Sequence, residues 1–101
     1  MAAKVFDLSN YLEEKKSTIK LGEKEYEISD GFNDLLKIDA LSNRRDELSS
    51  GEFIREFLTV SLGAEAAEEL IAKNYRSIVY TKIIESIEKT YSGDEEGSNT
   101  P

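Results

Sequence analysis

The chain has 101 residues and a formal net charge of −8, from 21 acidic and 13 basic residues, with neither histidine nor cysteine. Its length allows one domain with a modest core. Without those two side chains there is no disulfide, no thiol nucleophile, no imidazole base and no usual transition-metal ligand set, so an enzyme is not expected. The charge opposes direct binding to nucleic acid phosphates and to anionic membranes.

The opening, MAAKVFDLSN, lacks the apolar core of a signal peptide, and no apolar run approaches the length of a membrane span. With no cysteine, a cytosolic setting is expected. Residues 4–16, KVFDLSNYLEEKK, read as an arm. Asp7 or Ser9 caps a short helix carrying Leu8, Tyr11 and Leu12. Val5 and Phe6 are expected to dock on the body. Glu13-Glu14-Lys15-Lys16 places acids before bases, as a helix end prefers.

Residues 17–28 read as a β-hairpin. Ile19 and Leu21 alternate with Thr18 and Lys20, and Tyr26 and Ile28 alternate with Glu25 and Glu27, a period of two. Gly22-Glu23 is a favoured two-residue turn. It sets Ile19 opposite Tyr26 and Lys20 opposite Glu25, so apolar meets apolar and charge meets charge. A three-residue loop would set Leu21 against Glu25 and spoil the match. A lone hairpin is marginal in water, so its apolar face needs a helical cover.

The period changes at Asp30, read as the N-cap of a helix near residues 31–48 with Phe32, Leu35, Ile38, Leu41, Arg45 and Leu48 on one face and Leu36 widening the stripe. Arg45 is expected to snorkel at its edge. Ser49-x-x-Glu52 is a capping box, with Leu48 and Phe53 in the positions of a hydrophobic staple. It opens a helix near 50–62 carrying Phe53, Ile54, Phe57, Leu58 and Ser61, which Gly63 ends. A third helix near 64–73 turns Ala66, Ala67, Leu70 and Ile71 inward and Glu65, Glu68 and Glu69 outward. Asn74 ends it or caps the next. The last helix, near 75–91, repeats Tyr75, Val79, Ile83, Ile87 and Tyr91 every four residues, with Ile78, Tyr80 and Ile84 in flanking rows. A face this wide marks it as the central core helix, unless part of it meets another chain. Residues 92–101, SGDEEGSNTP, have no apolar side chain and are expected to be a disordered acidic tail. The fold class is therefore α+β, mainly α: one domain over residues 1–91 with a hairpin followed by about four helices.

No Gly-rich phosphate loop is present, and Asp94, Glu95 and Glu96 lack the spacing and closing Glu of a calcium loop. Arg44-Arg45 is too small a basic group for phosphate binding. No cofactor or metal is expected.

The order KVFDLSNYLEEKK, then a hairpin with GEKEYEI, then a run of helices and a short acidic tail resembles the tail assembly chaperones of long-tailed bacteriophages and prophages of Gram-positive bacteria. The resemblance covers residues 4–91. It implies a mostly helical protein of the host bacterial cytoplasm that binds the tape-measure protein, helps recruit tail-tube subunits and is absent from the mature virion. Many proteins of this kind also have a longer version made by frameshifting near the end of the short reading frame, a junction that the acidic tail would suit. Binding of this kind needs exposed apolar strips and no chemistry. Tyr80 and Ile84, lying off the four-residue row of the last helix, are the expected partner-binding residues, with Phe57 a further one. A homo-oligomer is a second possible use of such a strip. The alternative reading is a small acidic regulator of the DNA-mimic type, which would want carboxylates at regular spacing on one face; here acids and bases are interspersed.

Overall fold

A computed structural model of the chain describes residues 3–12 and 16–92. The expectations for Glu13 to Lys15, for the Tyr11 side chain and for the tail from residue 93 onward lie outside the described residues. The order is a 3-10 turn at Ser9–Leu12, strands β1 (Thr18–Leu21) and β2 (Lys24–Glu27), helix α1 (Phe32–Asn43), a 3-10 turn at Arg45–Glu47, and helices α2 (Ser50–Leu62), α3 (Ala64–Ala72) and α4 (Ser77–Tyr91). The chain is mainly α with one antiparallel hairpin.

The hairpin register follows from its side chains. Ile19 faces Tyr26 and Lys20 faces Glu25. Gly22 has a φ of +65° while Glu23 has none in that region, as a type II′ turn requires. One face buries Ile19, Tyr26 and, just beyond β2, Ile28. Polar ties fix the hairpin to the helices. Lys24 Nζ donates to Glu69 Oε2 of α3 at 2.6 Å, and the Tyr26 hydroxyl donates to the same oxygen at 3.0 Å. The Lys24 ammonium and the Tyr26 hydroxyl hold the Glu69 carboxyl below its usual range. Of the three glutamates expected in solvent, Glu69 is thus a structural tie.

Helix α2 is the centre of the molecule, packing against α1, α3 and α4. It buries Phe53, Phe57, Leu58 and Ser61. The expectation that α4 is central is corrected: α4 supplies the buried Tyr80, Ile83, Ile84 and Ile87, but it flanks α2, which is the helix in contact with all the others. The capping box is present. Ser49 Oγ accepts from the Glu52 N–H at 3.1 Å, and Glu52 Oε1 accepts from the Ser49 N–H at 3.0 Å. Ser49→Ala is expected to cost about 1 kcal/mol, seen as a lower urea midpoint with an unchanged slope; an unmoved midpoint would show that the cap contributes nothing.

Gly63 ends α2 and begins α3. Its N–H donates to Thr59 O and its carbonyl accepts from the Ala67 N–H, both at 3.0 Å. It does so at φ +95° and ψ 155°, a region that only glycine occupies without strain. A Cβ there would meet nothing within 4 Å, so the cost of a side chain is purely conformational. Gly63→Ala is expected to destabilise by about 1–3 kcal/mol; full retention of the thermal midpoint would contradict it. Asn74, at φ 54°, closes α3 in the left-handed conformation that asparagine tolerates best among non-glycine residues.

Three expectations for the earlier helices are corrected. The N-cap of α1 is Gly31, with no side-chain cap, and not Asp30. The helix stops at Asn43, after two weak helix formers, Ser42 and Asn43, and the chain continues as a 3-10 turn. Phe32 is 72% exposed, since the apolar stripe of α1 joins the core only through Ile38 and Leu41, with Leu35 partly buried.

Candidate functional site

The three side chains expected to meet a partner lie inside the domain. Phe57 is 0% exposed, Ile84 6% and Tyr80 9%. Their placement at a surface edge is corrected, and the reason is helical geometry. At about 100° per residue, a row spaced by four rotates by some 40° per step, so a row from Tyr75 to Tyr91 winds off any fixed face. The face of α4 that meets the body is Tyr80, Ile83, Ile84 and Ile87, with Tyr91 partly buried at its end. Tyr75 and Val79 are only partly buried. Among the flanking residues it is Ile78 that remains outside, half-exposed.

Polar pairing explains why two tyrosines turn inward. The Tyr80 hydroxyl donates to the carbonyl of Leu70 at 2.7 Å and accepts from the Tyr75 N–H at 3.0 Å. It thereby satisfies a carbonyl in the last turn of α3 and a donor of the α3–α4 connection. The Tyr91 hydroxyl donates to Ser29 O at 2.6 Å, while the Ser29 N–H donates to Ser61 O, in the last turn of α2, at 2.7 Å. Ser29, between β2 and α1, is held from both sides. Burial, with Asp34 and Asp30 nearby, pushes the Tyr91 hydroxyl up to about 12. The folded-state value is raised above the ordinary value of 10, so the folded protein binds the proton more tightly. Its contribution is complete below about pH 10 and is lost as pH rises to about 12. Tyr91→Phe is expected to make the alkaline loss of stability shallower in that window; an unchanged pH profile of the thermal midpoint would rule this out.

The large apolar side chains on the surface are elsewhere. They are Val5, Phe6, Leu8 and Leu12 on the arm, Phe32 and Leu36 on α1, and Ile78 on α4. The docking expected for Val5 and Phe6 is corrected: they are 88% and 78% exposed. Asp7 instead organises the arm locally, with its Oδ1 accepting from the Ser9 N–H at 3.0 Å and from Ser9 Oγ at 2.6 Å. Leu36, read as widening the apolar stripe of its helix, is instead about half-exposed. Phe32 carried no signal, because its spacing also suits a core, and Ile78 carried the same off-row signal as Tyr80 and Ile84, which did not separate it from them.

Open grooves run along α4. One, of about 310 Å³, lies between the start of α2 and α4 and includes Arg45, Ser49, Phe53, Ile84, Glu85 and Glu88. In it the Arg45 guanidinium lies over the Phe53 ring, 4.3 Å from its centre, which is how the expected snorkelling is achieved. Another, of about 320 Å³, lies between β1 and α4 and is more apolar, with Ile19, Leu21, Ile78 and Ile83 beside Lys20 and Lys82. Among the described residues no three carboxylates, or other metal-binding side chains, come together as a metal site, and no helix is long and apolar enough to cross a membrane. Comparison with protein-family models, with curated proteins and with solved structures finds no match.

Proposed function

We propose that the protein is a tail assembly chaperone of a long-tailed phage or prophage, which binds the tape-measure protein and helps recruit tail-tube subunits during tail morphogenesis. The reading starts from the resemblance in layout of the arm, hairpin and helices. The structural observation in its favour is the set of large apolar side chains left in solvent on the arm, on α1 and on α4, against a net charge of −8. A monomer that needed only its own fold would gain by burying them. A chaperone uses such side chains to cover the apolar face of a client helix, and its charge keeps the pair dispersed. On this reading the protein acts in the host bacterial cytoplasm, without a cofactor and without catalysis, and leaves before the virion is complete.

Co-expression with the very long reading frame that follows it, then co-purification, tests the proposal. Retention of the tape-measure protein in a complex that Phe32→Glu with Leu36→Glu weakens is the expected result. Failure to hold the tape-measure protein from a neighbouring frame, or the absence of such a frame, would overturn it.

A further inference from the structure

The hairpin leaves a usable edge. A two-residue turn makes Leu21 and Lys24 a hydrogen-bonded pair, and the bond from the Ile28 N–H to Ser17 O at 2.9 Å continues the alternation. Thr18 and Lys20 then turn their N–H and C=O groups outward. Among the described residues the sheet has two strands, so the outer edge of β1 has no strand beside it. Next to it is the groove between β1 and α4, with the half-exposed Ile78 on its wall. A strand added to β1 would find backbone partners along one side and an apolar floor beneath.

The arm has the matching pattern. Residues 3–8 form neither helix nor strand. In an extended segment of period two, Phe6 and Leu8 share one face while Val5 and Asp7 share the other. With Phe6 and Leu8 toward the groove, in line with Ile19 and Leu21, Asp7 falls on the outer face with Lys20. Lys20 and Lys82 make this a locally basic spot on a chain of net charge −8, and Lys82 is only loosely paired, at 3.5 Å from Glu85. Phe6 and Leu8, which have no cover in one copy, thus fit the apolar groove beside Ile78 in another, while Val5 stays on the outer face.

We propose that the arm of one copy adds as a strand to the free edge of β1 of a second copy, seating Phe6 and Leu8 in the groove between β1 and α4. This is self-association through unlike surfaces, arm to groove, and two copies can exchange arms to close it. It is separate from the reading of the protein as a chaperone.

Sedimentation of the full chain over a wide concentration range tests it. The wild type should self-associate. Phe6→Glu and Ile78→Glu should each raise the dissociation constant at least about tenfold, the effect expected from one buried apolar side chain of this size. Both residues are exposed in the single copy, so at concentrations well below the dissociation constant, where all three are monomers, the two variants should keep the wild-type thermal midpoint. Mixing them should restore association, because the intact arm of the Ile78 variant meets the intact groove of the Phe6 variant. A wild type that stays monomeric overturns the proposal, and that outcome covers an arm that folds back on its own groove. Association indifferent to either substitution, or not restored by mixing, overturns it as well.

Discussion

Phe57→Ala is expected to destabilise the domain by about 3–5 kcal/mol, the range for removing a buried aromatic ring. Phe57 is wholly buried on the central helix, beside the Phe53 ring and within the cluster that includes Leu58, Leu70 and Ile87. Its loss removes apolar area from the core and leaves a cavity among elements from both halves of the chain, which the capped and tethered α2 cannot readily collapse. A small domain has only about 5–15 kcal/mol in total, so the change is a large share of what is available. Urea or thermal denaturation measures it. A loss below about 1 kcal/mol would mean that the helices close over the gap and that Phe57 does not anchor the core.

Tyr80→Ala is expected to have an effect of similar size, about 3–5 kcal/mol, and Tyr80→Phe a smaller one of about 1–3 kcal/mol. The pair of substitutions separates ring from hydroxyl. The ring is part of the α4 face that meets the body. The hydroxyl binds the Leu70 carbonyl and the Tyr75 N–H, so the phenylalanine variant leaves the part-buried Tyr75 N–H unpaired, while the Leu70 carbonyl keeps only the longer bond from the Lys73 N–H at 3.2 Å. Replacing Tyr80 and Ile84 together by serine should therefore unfold the domain and not merely loosen a complex. If Tyr80→Phe is neutral by chemical denaturation while Tyr80→Ala is costly, the hydroxyl bonds carry no net stability. If both are neutral, the placement of Tyr80 in the core is wrong.

The sequence alone determined the features whose physics is local. The hairpin register follows from side-chain alternation and the Gly22-Glu23 turn, and it is met residue for residue. The capping box at Ser49 and Glu52 needs only four residues to specify it. Gly63 sits where the chain must turn from one helix into the next, and only glycine adopts that conformation cheaply. The inner face of α2 was legible because local signals, the capping box at Ser49 and Gly63, fix both ends of the helix that carries Phe53, Phe57, Leu58 and Ser61. What only the tertiary structure decided is which apolar strips face one another. Ile78, Tyr80 and Ile84 look alike in sequence, as flanking residues of α4. Ile78 remains half-exposed while the other two are buried, because the body lies on the side where the Tyr80 hydroxyl reaches Leu70. Periodicity fixes the angle between side chains on one helix but not the rotation of that helix against its neighbours. That rotation comes from packing and from long-range bonds such as Tyr91 to Ser29 and Lys24 to Glu69, 62 and 45 residues apart. The residues available to a partner follow from that same rotation, which is why Phe57, Tyr80 and Ile84 lie inside and the arm, Phe32, Leu36 and Ile78 lie outside.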